Sequence, residues 1–144
     1  LTRQEALRMA TAANKWFIAE DDSGAALALR LQSVSFFAPD IMPIEYRNAL
    51  LNKVRRRAIS VDDARRAEHE IDAAGVTIVA TAPLLDHAFQ LALDLGEPIY
   101  DCIYLAMAIA TDDILVTADV KFATKAQELD VGGNRIKLLS SLSI

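Results

Sequence analysis

Apolar positions along this chain change period repeatedly, from the three-to-four spacing of helices to short unbroken β-prone runs and back. Thr2-Arg-Gln-Glu5 has the form of a capping box, and Ala6, Met9, Ala10, Ala13, Trp16 and Phe17 follow at helical spacing. This predicts an amphipathic helix over 3–16. A polar break at 20–23 leads into a second helix at about 24–32. Val34 to Ala38 is a β-prone run that Pro39-Asp40 stops, and a helix with Pro43 in its first turn follows over about 42–57. Ser60-Val-Asp-Asp63 opens a helix to about Ala74, closed by Gly75. Next come a strand at 76–80 and a helix at 84–95 that Gly96 and Pro98 end. A helix over 100–111, a strand at 114–117, a helix at 121–129 and a last strand at 136–139, after the Gly132-Gly133-Asn134 turn, complete the pattern. Strands alternating with helices imply parallel crossovers, hence an α/β fold of three α/β/α layers around a mostly parallel sheet. At 144 residues, 1–144 suit a single domain.

Residues 100–119, YDCIYLAMAIATDDILVTAD, organise the rest. Ile103, Tyr104, Met107, Ala108 and Ala110 recur at helical spacing, and the apolar run after the Asp112-Asp113 turn suits a buried parallel strand. The helix rises roughly 16 Å and the strand returns about as far. Asp101, in the first helical turn, is therefore expected near Asp119, just past the strand's end. Glu45, in the first turn of the helix after the 34–38 strand, falls at the same sheet edge if that strand is parallel. Crowded carboxylates do not all ionise at neutral pH without a compensating cation. Oxygen-only ligands suit Mg²⁺ or Mn²⁺, which activate water and stabilise charge on a phosphate. Each acid also has a plainer reading: Asp101 and Asp119 as helix-start residues, Glu45 as a first-turn surface glutamate. Asp112 and Asp113 belong to the opposite edge. Thr117 is either strand filler or a hydroxyl that orients Asp119.

Composition narrows the alternatives. The chain is 53% hydrophobic with mean hydropathy +0.21 and few Gly or Pro, which favours a helix-rich α/β protein. No apolar run approaches the roughly 20 residues of a membrane span, and LTRQEALR is too polar for a signal-peptide core. A single cysteine, Cys102, excludes an internal disulfide and points to a reducing cytoplasm; at a helical position with no histidine pattern nearby it reads as core. His69 and His87 stand at no ligand spacing, and Gly-rich phosphate loops are absent. Net charge is −5, with positive charge concentrated in Lys53-Val-Arg-Arg-Arg57 plus Arg65 and Arg66. That run is a solvated helical face or a phosphate contact beside the acids. Trp16, Phe17, Leu27, Leu29, Leu31 and Leu51 exceed one small core; they either pack inside the monomer or form a dimer surface or partner groove.

IYDCIYLAMA followed by ILVTAD, with PIEYRNAL upstream, resembles the PIN-domain ribonucleases, in particular VapC-type toxins of bacterial toxin–antitoxin pairs. The resemblance runs from about Lys15 to Ala126. It implies a three-layer α/β/α fold, a Mg²⁺ or Mn²⁺ site of four acidic residues, cleavage of RNA, a homodimer and a cognate antitoxin whose C-terminal segment covers a groove. Glu45, Asp101 and Asp119 match three of the four acidic positions, and Thr117 matches the hydroxyl residue beside the last. Met9 stands at the first, where the family carries aspartate. Two expectations follow: a metal-dependent ribonuclease in which Asp101 and Asp119 bind the ion and Glu45 handles the attacking water, or a catalytically impaired module that binds antitoxin or RNA.

Overall fold

The computed structural model describes residues 37–138 other than 74, 118, 133 and 134. The helices expected over 3–16 and 24–32, residues 34–36 of the first strand, Met9 and the apolar residues Trp16 to Leu31 lie outside the described residues. Within them the order is β1 (Phe37–Pro39), α1 (Met42–Arg55), α2 (Val61–Asp72), β2 (Thr77–Val79), a 3₁₀ turn (Ala82–Leu84), α3 (Leu85–Leu95), α4 (Ile99–Thr111), β3 (Leu115–Thr117), α5 (Val120–Glu128) and β4 (Ile136–Leu138).

Both strand pairings are parallel, β1 with β2 and β3 with β4, as alternation with helices requires. Among the described residues they form two separate two-stranded ladders rather than one sheet. Helix α4 joins the two halves by packing on α3, β1 and β3. Seven consecutive α4 residues, Cys102 to Ala108, are buried, so this helix is apolar on every side because it is covered on every side. Strand β3 is buried throughout, in keeping with its unbroken apolar sequence.

Pro39 closes the first strand from within it. It is the last residue of β1, in register with Val79, and the next N–H, that of Asp40, donates to Val79 O at 2.9 Å. Proline is tolerated there because the ladder ends at that point. The Asp40 carboxylate then accepts from the Thr81 N–H and hydroxyl, which hold its pKa below the usual value. Helix α2 begins with the expected capping box at Ser60 and Asp63, and α3 ends on Gly96 in the left-handed conformation.

Helix α1 stops at Arg55, two residues before the expected end. Its last turn closes as a Schellman motif: Ala58 N–H donates to Lys53 O (2.8 Å) and Arg57 N–H to Val54 O (2.9 Å). The left-handed residue of that motif, usually glycine, is Arg57 (φ 59°). Helix α1 is tied to α2 by the Tyr46 hydroxyl, which donates to Ala67 O at 3.1 Å, and by Arg47, which pairs with Glu68 at 2.8 Å.

Gly132 (φ +84°) turns the chain between α5 and β4, and a Cβ there would lie 2.9 Å from Leu105 Cδ1, whereas one on Gly75 (φ +74°) would meet open space. Gly75→Ala carries the conformational penalty alone, about 1 kcal/mol. Gly132→Ala is expected to lower stability by more, because it also displaces a buried leucine. Urea unfolding midpoints check this; equal losses would contradict the close approach.

Candidate functional site

Helix α4 starts at Pro98, whose fixed φ and missing N–H suit a helix entrance. Asp101 lies in its first turn and Tyr104 three residues later on the same face. Tyr104 is 1% exposed, and its hydroxyl donates to Glu45 Oε1. Leaving that buried hydroxyl unpaired would cost about 1–3 kcal/mol, so the bond fixes the carboxylate of α1 against α4. Glu45 is thus half-buried and turned inward, not a surface glutamate.

Asp119 is the N-cap of α5. Its Oδ1 accepts from Phe122 N–H at 3.0 Å, and its own N–H donates to Thr117 Oγ1 at 3.0 Å. The plain capping role is therefore real for Asp119, and the buried Thr117 hydroxyl sets the backbone that presents it. Asp101 differs. The N-cap of α4 is Pro98, and Asp101 makes no hydrogen bond or ion pair among the described residues.

Electrostatics place the three acids in one field. Asp101 is pushed up to about 6, first by burial and then by the charges of Asp119, Glu45 and Glu97. Burial also raises Glu45, against the opposing pull of the Tyr104 hydroxyl. Glu97 is the contributor that sequence reasoning missed. It stands four residues before Asp101, hidden between the helix-ending Gly96 and Pro98, and Lys125 Nζ pairs with it at 3.2 Å. Spacing across the helix start was the available signal. Tyr104 was missed as a polar partner because it fits the apolar face of α4 equally well.

Other candidates fall away. Cys102 is fully buried, and burial with the charges of Asp101 and Glu97 pushes its thiol up to about 11, leaving no nucleophilic thiolate at neutral pH. His69 and His87 are exposed. Asp112 caps the far end of α4 and pairs with Arg135, away from Asp101.

The donor set is all carboxylate oxygen, which suits a hard divalent ion. Among the described residues no three His, Cys, Asp or Glu side chains close into a metal cage. Mg²⁺ usually takes one or two carboxylates and retains several waters, and Asp101 with its unpartnered carboxylate meets that lesser requirement. The residues fit such an ion bound largely through water.

Comparison with known proteins agrees with this picture. A family model described as PIN domain matches residues 10–128. PIN domains are generally nucleases and generally use divalent metal ions. A solved structure, the crystal structure of PAE2754 from Pyrobaculum aerophilum, superposes with a TM-score of 0.62 at 19% identity, covering 94% of this chain and 83% of that one. At that identity the likeness shows the fold alone. No curated protein matches. No helix among the described residues is long and apolar enough to cross a membrane.

Asp101 rises from an ordinary 3.8 to about 6 on folding. Its protonated form is the one the fold favours, so its contribution is present below pH 3.8 and is lost as pH rises through 6. Asp101→Asn in chelator is therefore expected to exceed the parent in stability at pH 8, by on the order of 1–2 kcal/mol after solvent screening. The gap should close toward pH 4. Denaturant unfolding at both pH values checks this, and a gap independent of pH would contradict it.

Proposed function

The chain belongs to the PIN-domain family, and on that premise we propose that it is a metal-dependent endoribonuclease, the toxin of a toxin–antitoxin pair. The supporting observation is that Glu45 and Asp119, from two other helix starts, both add to the charge that raises the Asp101 carboxyl. Asp101 and Asp119 would hold Mg²⁺ or Mn²⁺, which supplies positive charge for a developing phosphate dianion and acidifies water. Glu45 accepts the proton of the attacking water; its burial raises its basicity toward the working pH. Water oxygen then bonds to phosphorus as the bond to the leaving ribose oxygen breaks, and that oxygen takes up a proton from solvent to leave as a hydroxyl. Tyr104 is a positioning residue that holds Glu45 in one orientation. Thr117 does the same for Asp119 through the backbone. The same reading carries a cognate antitoxin, a homodimer and a cytoplasmic setting.

A second reading, a non-catalytic PIN domain that binds antitoxin or RNA, is favoured by Met9 at the family's first acidic position. Calorimetric Mn²⁺ titration beside a ribonuclease assay, on this chain and on Met9→Asp, separates the two. Binding and cleavage only in Met9→Asp would decide for the module.

For the nuclease, Glu45→Gln and Asp119→Asn are each expected to lower kcat/KM for Mn²⁺-dependent cleavage of single-stranded RNA by about 10²–10⁴. Tyr104→Phe, which keeps the ring and removes only the orienting hydroxyl, should lose less, roughly tenfold. Undiminished cleavage in Glu45→Gln would rule out the assignment.

A further inference from the structure

Helix α1 carries the acidic pocket at one end and a cluster of arginines at the other. Glu45, Asn48, Asn52 and Arg56 recur at intervals of three, four and four residues, which is the spacing of one helical face. The buried face of the same helix is Met42, Tyr46, Leu50 and Lys53. Asn48 and Asn52 are exposed, as are Arg55, Arg56 and Arg57. Arg65 and Arg66, the other members of the basic run, are already paired with Glu68 and Asp63. Arg55, Arg56 and Arg57 have no ion-pair partner among the described residues.

Arg57 adds an independent observation. It occupies the left-handed position of a Schellman motif (φ 59°) with both motif hydrogen bonds in place, a site where glycine is free of strain. Asp112 and Asp130 share this left-handed backbone at other helix ends, so what Arg57 adds is a third exposed guanidinium at a turn glycine would fill without strain. It also extends the cluster one residue beyond the helix.

We propose that the face of α1 from Asn48 to Arg57 is a track for single-stranded RNA, with Arg55, Arg56 and Arg57 holding backbone phosphates away from the site of cleavage. This rests on the nuclease reading and adds the grip on the substrate. From Glu45 to Arg56 the helix rises about 16 Å, the reach of roughly five nucleotides at ~3.4 Å per stacked nucleotide. A strand seated at the acids therefore reaches the arginines only when it is longer than that.

The test is fluorescence anisotropy with a labelled single-stranded RNA decamer, on the full chain in EDTA so that nothing is cut. Replacing Arg55, Arg56 and Arg57 together by alanine is expected to weaken decamer binding tenfold or more at low salt. It should lower the slope of log K against log salt by about 2, given ~0.7 per phosphate contact. Arg57→Gly should raise the melting temperature while weakening decamer binding severalfold, which keeps the test informative if the triple variant does not fold. Arg65→Ala with Arg66→Ala removes similar charge and should change binding less than twofold. Unchanged decamer affinity and slope in the triple variant would overturn the proposal, and so would equal losses in the Arg65/Arg66 variant. Because binding is read without metal, loss of the nuclease reading (no cleavage, binding as predicted) is distinguishable from loss of this one.

Discussion

The hydrogen bond from the Tyr104 hydroxyl to the Glu45 carboxylate is the contact on which the site depends. Tyr104 belongs to the helix that both strand pairs pack against, and Glu45 to a helix tied to its neighbour by Tyr46 and Arg47. A buried phenol must find an acceptor. Here the acceptor is an acid from a distant part of the chain, and the helical three-residue step then places Asp101 beside it. The same helix that fills the core thus sets the spacing of the acids.

Bringing carboxylates together under partial burial works against folding. Asp101 bears most of that strain, with a raised pKa and no partner among the described residues, whereas Glu97 is neutralised by Lys125 and Asp119 is partly occupied as a helix cap. Polarity is arranged likewise at the other end of α1, where Arg55, Arg56 and Arg57, without ion-pair partners among the described residues, lead into and form a left-handed turn. The negative charge of Glu45 and the positive charge of the arginines are thus kept at opposite ends of one helix. A net charge of −5 conceals this separation, because a sum carries no positional information.

Much of this was legible in the residues. The apolar run from Ile103 to Ala108 announced a core helix, Gly96 a left-handed stop, and Ser60 with Asp63 a capping box. Asp101 and Asp119 could be brought together because a helix and a strand of similar rise must return the chain to its start. What was not legible depends on tertiary partners. Pro39 ends its strand from inside the ladder rather than just after it, because only the pairing with Val79 shows where the ladder stops. Tyr104 matched an apolar face, and nothing local marks its hydroxyl as the ligand of Glu45. Arg57 occupies a conformation that sequence preference assigns to glycine, so the end of α1 was expected two residues late.

Whether Glu45, Asp101 and Asp119 share one cation is tested most directly by paramagnetic broadening. Amide NMR spectra would be recorded as substoichiometric Mn²⁺ is added to the full chain. Resonances of residues around positions 45, 101 and 119 are expected to broaden together and first, with those around Asp112 and Asp113, at the other end of α4, unaffected at the same dose. Broadening that spares any one of the three acids, or begins at exposed surface acids such as Asp62 and Asp86, would contradict the shared pocket.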